Sequence, residues 1–194
     1  MARSPRPPRW PVGLVALMAC AGAAPPRPPA PIQNTAVEGD ADPACADPIS
    51  GVWTARVWRD RQQKWDMVVL TIRRTDQAAL EGTIEVFTWD GDADQRRPRR
   101  CSDGSPAMSH VIQSATGALA GDRFDLQGAE PRWLRAICAP TSSVGYQPDH
   151  FSGVLQPTAS RLDTVNDDGN TDQGRPHVFS RTTCVAPVPP AAGS

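Results

Sequence analysis

The sequence predicts an all-β domain, a single antiparallel β-barrel or β-sandwich of about eight to nine short strands. Two observations carry this prediction. Several segments alternate apolar and polar residues with the period of two that a half-buried strand requires, and glycine, proline and aspartate separate these segments at short intervals. No convincing amphipathic helix is found in the same region. A proline-rich N-terminal linker, predicted to be disordered, precedes the domain.

The strongest strand signals lie in the first half of the domain. Residues 80–89 alternate cleanly, with one face made of Leu80, Gly82, Ile84 and Val86. Residues 49–59 repeat this pattern with Ile49, Gly51, Trp53, Ala55 and Val57. Residues 65–74 are apolar on both faces between positions 67 and 72, as in a well-covered strand. Six further candidates follow at residues 108–114, 123–127, 133–138, 150–156, 161–165 and 177–184.

The N-terminus has the composition of a signal peptide over residues 1–19. Three arginines form its positive n-region, and a mostly apolar run of about 10 residues follows, roughly half the length of a membrane span. Residues 17–20, LMAC, resemble a bacterial lipobox, in which Cys20 becomes lipidated, although Met18 replaces the usual small residue. Residues 21–23, AGA, offer an ordinary secretory cleavage site as the alternative. The lipobox is favoured.

The cysteine count supports lipidation of Cys20. The chain has five cysteines, and a secreted chain with an odd number must account for the unpaired one. If Cys20 carries lipid, four remain: Cys45, Cys101, Cys138 and Cys184. In an oxidising compartment these four are expected to form two disulfides. Three pairings are open at this point.

Four segments follow from these features. They are a signal peptide over 1–19, the lipidated cysteine and proline-rich linker over 20–44, a β domain over 45–184 and a disordered tail over 185–194. The linker, with its repeated prolines, is expected to be an extended spacer between lipid and domain.

Location and charge restrict the partners. An outer-membrane lipoprotein of the cell envelope is predicted, because Ala21 follows Cys20 where an aspartate would resemble an inner-membrane retention signal. A periplasmic or secreted protein is the alternative. Loss of the three arginines of the signal peptide changes the formal net charge from −1 to −4. This acidic balance argues against nucleic acid as a partner.

A resemblance to a fold family rests on Gly51, Trp53 and Arg181. The sequence Gly51-Val52-Trp53 opens the first strand of the domain, and Arg181 lies on the last. The pair resembles the calycin pattern of lipocalin and avidin-like barrels, in which G-x-W packs near an arginine of the closing strand. The resemblance implies that Arg181 stacks on Trp53 and closes one barrel end. A buried tryptophan in an unrelated sandwich is the alternative.

Two further expectations accompany this resemblance. If the last strand pairs antiparallel with the first, Cys184 lies near Cys45, so the expected disulfides are Cys45–Cys184 and Cys101–Cys138. The residues FSG…VNDDGN…PHVFSRTTC, within 151–184, also resemble the end of uncharacterised lipoproteins from high-GC bacteria. That resemblance implies a class of protein but no activity.

Candidates for metal binding or catalysis are weak. Acidic residues alternate over 90–94 and cluster over 165–172, but neither segment fits an EF-hand loop, and the second is typical of a tight turn. His110, His150 and His177 do not have zinc-binding spacing, and no nucleophile elbow or phosphate-binding loop is present. No metal, cofactor or catalytic residue is therefore assigned.

A candidate binding surface combines two tryptophans with an arginine-rich segment. Trp58 and Trp89 fall opposite the apolar alternation of their strands, where exposed tryptophans mark binding sites. The other interpretation, that a loop lies over them, is slightly favoured. Four arginines follow: Arg96, Arg97, Arg99 and Arg100. They are suited to an anionic lipid headgroup or phosphate. A solvated loop, in which these charges and those of the acidic residues over 90–94 offset each other, is the favoured interpretation.

Three functions are open. The favoured one is a lipid-anchored structural or interaction protein of the envelope, with a filled core, that contacts another envelope protein through this surface. The second is a calycin-like module for a small apolar ligand, with a cavity lined by Trp53, Met67 and their face-mates. In both, the lipid makes the membrane a partner. A metal-dependent or hydrolytic enzyme is least favoured, and it predicts that His150, His177 and Asp168 converge.

Overall fold

The computed structural model describes residues 45–138, 146–169 and 173–185, all within one compact unit, Ile32–Ser194. Its strands, in chain order, are β1 (Gly51–Arg59), β2 (Lys64–Arg74), β3 (Ala79–Asp90), β4 (Met108–Ala120), β5 (Arg123–Ile137), β6 (His150–Gln156), β7 (Arg161–Asn166) and β8 (Arg175–Cys184). Short 3₁₀ turns follow β1 and β6. The predicted signal peptide, lipidation site and linker, and the tail from residue 186, lie outside the described residues. Among the described residues, no helix is long and apolar enough to cross a membrane.

The eight strands form a closed antiparallel barrel, which confirms the predicted fold class and decides between barrel and sandwich. Each strand pairs with the next one in the chain. β1 closes the barrel against β8 through the pairs Gly51–Cys184 and Trp53–Arg181, with a register shift between Val52 and Trp53. Pairing the first strand with the last protects both from edge-to-edge association.

A single strand, β5, replaces two of the nine predicted strands, residues 123–127 and 133–138. Glu130 has a positive φ of 50° directly before Pro131, and the register between β4 and β5 shifts nearby. The chain therefore bulges at this proline and then resumes pairing with β4. The sequence pattern is interrupted here, but the strand is not.

Alternate residues of the strands point into the barrel and form its core. The predicted inward faces of residues 49–59 and 80–89 are confirmed, since their large apolar members are buried. The largest of the completely buried apolar side chains are Ile49, Trp53, Leu70, Ile72, Ile84, Leu126, Phe151, Leu162 and Phe179. Burial of each such side chain stabilises the fold by roughly 1.5–3 kcal/mol.

Two glycines allow neighbouring strands to approach closely where the sheet bends. A Cβ atom at Gly82 would lie 1.8 Å from the carbonyl oxygen of Thr71, and one at Gly153 would lie 2.0 Å from that of Asp163. Only glycine fits such contacts, and glycines of this kind let a sheet curl into a barrel. The outer surface is concave beside each bend, in open grooves of about 500 Å³ and about 520 Å³.

The barrel has two ends, which we call the base and the rim. The base is the end at which β1 begins, and it includes residues 45–50 and the turns after β2, β4 and β6. The rim carries the connections after β1, β3, β5 and β7. The longest described connection is residues 91–107, between β3 and β4, which we call the arginine loop.

One disulfide lies at each end of the barrel, and both expected pairings are confirmed. Cys45–Cys184, with a Cα–Cα distance of 5.7 Å, ties the segment before β1 to the end of β8 at the base. Cys101–Cys138, with a Cα–Cα distance of 6.2 Å, ties the arginine loop to the end of β5 at the rim. Disulfides of this kind are typical of an oxidising, extracytoplasmic compartment.

Candidate functional site

The base of the barrel is sealed by Arg181 and Trp53. The guanidinium carbon of Arg181 lies 5.2 Å from the centre of the Trp53 ring. Its Nη1 donates to the carbonyl oxygen of Pro48 at 2.9 Å, and its Nη2 donates to the Ser160 hydroxyl at 3.2 Å. A Cβ atom at Gly51 would lie 2.9 Å from the Arg181 Cδ. The structure therefore brings Gly51, Trp53 and Arg181 together, and their contacts hold the base closed.

Large side chains fill the interior above this seal. Phe151 and Phe179 meet edge to face at 5.4 Å, and Trp53 is completely buried beside them in the same core. The expectation that Met67 shares a cavity lining with Trp53 is wrong. Met67 pairs across strands with Arg56 and Phe87 on the outer face, because β2 alternates and Leu70 is the inward partner of Trp53.

The interior becomes polar towards the rim, beginning with Asp66. This carboxylate is 1% exposed and pairs with the guanidinium of Arg59. It also accepts a hydrogen bond from the Thr88 hydroxyl at 2.7 Å. A buried charge is tolerated only when it is paired and hydrogen-bonded in this way. The pair therefore fixes the register of β1, β2 and β3 at the rim.

Asp149 organises a second polar group across the barrel. Its carboxylate accepts hydrogen bonds from Asn166 Nδ2 at 2.7 Å, from the Tyr146 hydroxyl at 2.7 Å and from Gln113 Nε2. The Gln113 side-chain oxygen in turn accepts from the Asp149 backbone N–H. Burial, and then the charge of Asp149, raise the pKa of Tyr146 far above its usual 10.0. Tyr146 is therefore a neutral donor, and the network joins β4, β7 and the segment before β6.

His177 lies between these polar groups and the aromatic core. Its ring stacks on Phe179 at 6.0 Å and meets the edge of Phe151 at 5.2 Å. Burial lowers the pKa of His177 from 6.5 to about 4. Its Nδ1 lies 3.1 Å from the backbone carbonyl oxygen of Arg175. At neutral pH the histidine is therefore an uncharged core residue.

The predicted convergence of His150, His177 and Asp168 does not occur. His150 is on the outer face of β6, where its Nε2 lies 2.8 Å from Asp125, whereas His177 is inside the barrel. Strand alternation causes this separation, since Phe151 and not His150 occupies the inward position. Asp168 lies in a turn closed by the positive φ of Gly169, as the sequence predicts. No group of three or more potential metal ligands is found among the described residues.

The arginine loop covers a cluster of tryptophans on the outer face near the rim. Trp58 contacts Trp65 at 5.4 Å, and Trp65 stacks with Trp89 at 6.5 Å. The indole N–H of Trp65 donates to the Asp92 carbonyl oxygen at 3.0 Å, and that of Trp89 donates to the Gln95 carbonyl oxygen at 3.3 Å. Trp89 is only 3% exposed, so the interpretation that a loop lies over it is confirmed and its place in the candidate binding surface is wrong. It anchors the loop, while Trp58 is partly exposed.

All four arginines of the loop are exposed. Arg99 donates to the side chain of Gln95 at 3.3 Å, and Arg100 donates to the carbonyl oxygen of Gly104 at 2.7 Å. Within the described parts of the chain, none of the four guanidinium groups pairs with a carboxylate. The loop is fixed by internal backbone hydrogen bonds, including Ala107 N to Arg99 O at 2.7 Å. The loop also carries three exposed aspartates, so its formal net charge is +1 and its positive charge is concentrated in residues 96–100.

Sequence reasoning missed the polar interior, although one of its residues carries a readable signal. Asp66 falls in phase with the inward row of Val68, Leu70 and Ile72, so an acid interrupts an otherwise apolar face. Such an interruption indicates a buried charge with a partner. Tyr146 and Asp149 give no comparable signal, because they lie outside the strands.

No protein-family model, no curated protein and no solved structure matches this chain.

Proposed function

We propose that the protein is an exported, lipid-anchored protein of the cell envelope with a structural or interaction role. Lipid on Cys20 holds it at the outer membrane, and residues 21–44 separate the lipid from the barrel. The barrel is a rigid scaffold, and its contact surface is the rim surface formed by Trp58 and the arginine loop.

The disulfides support the lipid anchor. Of the five cysteines, two disulfides use four, and Cys20 is the remaining one. An unpaired cysteine in an exported chain needs a role, and residues 17–20 give it one as a lipidation site. The apolar run before Cys20 is short enough for a signal peptide.

The observation that carries the interaction role is the fixation of the arginine loop. A disulfide holds Cys101 at one side, and indole hydrogen bonds from Trp65 and Trp89 hold the backbone at Asp92 and Gln95. Fixation of this kind is preorganisation, which lowers the entropy lost when a partner binds. The filled base half of the interior supports this role over a small apolar ligand.

A photo-crosslinking amino acid placed at Arg97 in living cells tests the interaction role. Arg123 is the matched control position, because it is also an exposed arginine but lies at the base. Discrete adducts with an envelope component are expected at position 97 and not at position 123. Absence of adducts at 97, or equal adducts at both positions, would contradict the proposal.

Metabolic labelling with a fatty acid tests the anchor. Label is expected in the wild-type protein and in Met18→Ala, which restores the small residue of a typical lipobox. Cys20→Ala should carry no label. Label that persists in Cys20→Ala, or no label in the wild type, would rule out lipidation at Cys20.

A further inference from the structure

We infer that the rim surface formed by Trp58 and the arginine loop binds the phosphate-bearing headgroups of an anionic lipid surface. This inference rests on the proposed function, because the anchor at Cys20 keeps the barrel beside a membrane. It goes further, because it makes the lipid surface itself the partner of the barrel.

The run of arginines over residues 96–100 favours an anionic partner. The stretch from Gln95 to Cys101 contains four arginines and no carboxylate. Within the described residues, the side chains of Arg96 and Arg97 form no hydrogen bond or ion pair, so their donors are available. Guanidinium groups bind phosphate oxygens with paired hydrogen bonds and are less strongly hydrated than ammonium groups.

The side chains next to the loop favour a lipid surface over a soluble phosphate. Trp58 is partly exposed, and Met67 and Phe87 form the next pair along the same outer face, also partly exposed. Tryptophan is enriched where headgroups meet acyl chains, and arginine side chains bind phosphates at the same depth. A soluble phosphate would use the arginines alone and would leave these apolar side chains in water.

The length of the chain before the barrel allows this contact. The chain enters at the base, and β2, with 11 residues, has a length of about 36 Å, which is an upper limit for the distance from base to rim because the strands of a barrel are tilted. Residues 21–44, if extended, span about 74 Å at ~3.1 Å per residue. The lipid on Cys20 and the arginine loop therefore reach the same membrane.

Vesicle partition measures this binding without the anchor. The exported chain carrying Cys20→Ser, purified with its disulfides oxidised, is mixed with phosphatidylglycerol–phosphatidylcholine vesicles or with pure phosphatidylcholine vesicles. Partition to the anionic vesicles is expected, and it should weaken as salt is added. Each arginine near an anionic surface contributes about a five-fold change in partition, so Arg96→Gln with Arg97→Gln should lower it about 25-fold. The control pair, Arg73→Gln with Arg123→Gln, removes exposed arginines from the base and should change partition less than about two-fold.

Other results would overturn the inference. No partition to anionic vesicles, or equal losses in the two pairs of variants, would show that the rim surface is not the binding site. Displacement by inorganic phosphate at moderate concentration, with ionic strength held constant, would show that a soluble phosphate is the ligand. Because Cys20→Ser carries no lipid, these results are independent of the labelling experiment. A chain that is labelled but does not partition retains the proposed function and loses this inference.

Discussion

Arg181 lies over the indole ring of Trp53, with its guanidinium carbon 5.2 Å from the ring centre, and so joins the last strand to the first. The same guanidinium donates to the carbonyl oxygens of Asp47 and Pro48, which precede β1. Trp53 in turn donates from its indole N–H to the Ile49 carbonyl oxygen at 2.8 Å. These contacts provide hydrogen-bond donors for the backbone carbonyl groups of residues 47–49 at the base. Arg181 and Trp53 therefore join the last strand to the first and also cover this end of the barrel.

Removal of this guanidinium should weaken the barrel strongly. Arg181→Met keeps the apolar stem and loses the cation and its hydrogen bonds, so the free energy of unfolding should fall by about 3 kcal/mol. Urea denaturation measures the change. Arg123→Met, at an exposed position of the same end, should stay within about 0.5 kcal/mol of the wild type. Equal effects of the two substitutions would show that Arg181 does not seal the base.

Stability should fall with acid through His177. The folded protein keeps this histidine neutral down to a pKa of about 4, whereas the unfolded chain is protonated near 6.5. The contribution of neutral His177 to the free energy of unfolding is therefore fully present above pH 6.5. It is lost as the pH falls towards 4, and the free energy of unfolding decreases by about 3 kcal/mol in total. Urea denaturation across this range measures the slope.

His177→Phe is the matched variant for this prediction, because phenylalanine is compatible with packing against Phe151 and Phe179. The variant should lose most of the slope between pH 4 and 6.5. Burial opposes the shift at Asp47, but hydrogen bonds from Ser50 and Ile49 and the charge of Arg74 lower its pKa below 3.8. Asp47 therefore adds its own loss of stability only in stronger acid. If the free energy of unfolding of His177→Phe falls with acid as steeply as that of the wild type, His177 is not the cause of the acid sensitivity.

Tyr146 should not ionise while the barrel is folded. It is the one tyrosine of the chain, so the tyrosinate absorbance reports on it alone. Burial, and then the charge of Asp149, raise its pKa, and the absorbance should appear only together with unfolding. The same protein in concentrated urea should titrate near pH 10. A reversible titration near pH 10 in the folded protein would place Tyr146 in water.

Loss of the rim disulfide should affect stability and the rim surface together. Cys101→Ser with Cys138→Ser opens a crosslink between residues 37 positions apart, which should lower the free energy of unfolding by about 4 kcal/mol. The variant should also partition less well to anionic vesicles, because the arginine loop is no longer fixed. Cys45→Ser with Cys184→Ser is the control at the base. It should lower stability while partition of the folded fraction stays at the wild-type level. Equal loss of partition in both variants would contradict a specific role of the rim disulfide.

Much of the fold could be predicted because its signals are local. The alternation over residues 80–89 and the position of Trp53 in phase with Gly51 follow from the period of a strand, which the structure preserves. The disulfide pairing needed one further assumption, that the last strand lies beside the first. That assumption places Cys184 beside Cys45, where the structure has it.

The interior could not be predicted because it depends on register across the whole sheet. Asp149 meets Gln113 and Asn166 only because the consecutive pairing of β4, β5, β6 and β7 brings both side chains beside the segment before β6. Trp89 is outward, as its alternation indicates, yet the arginine loop covers it. Alternation determines which face a side chain takes, but not what packs on that face.

Intact-mass measurement is the direct test of the proposal that the protein is an exported lipoprotein. The protein is extracted gently from its own membranes without reductant and measured under native conditions. We expect a chain that begins at Cys20, carries acyl mass and is lighter by the four hydrogen atoms lost in two disulfides. A chain that begins at Ala24 without lipid would contradict it, because Cys20 would then have been removed with an ordinary signal peptide. A bound apolar molecule of constant mass would instead support a ligand-binding barrel.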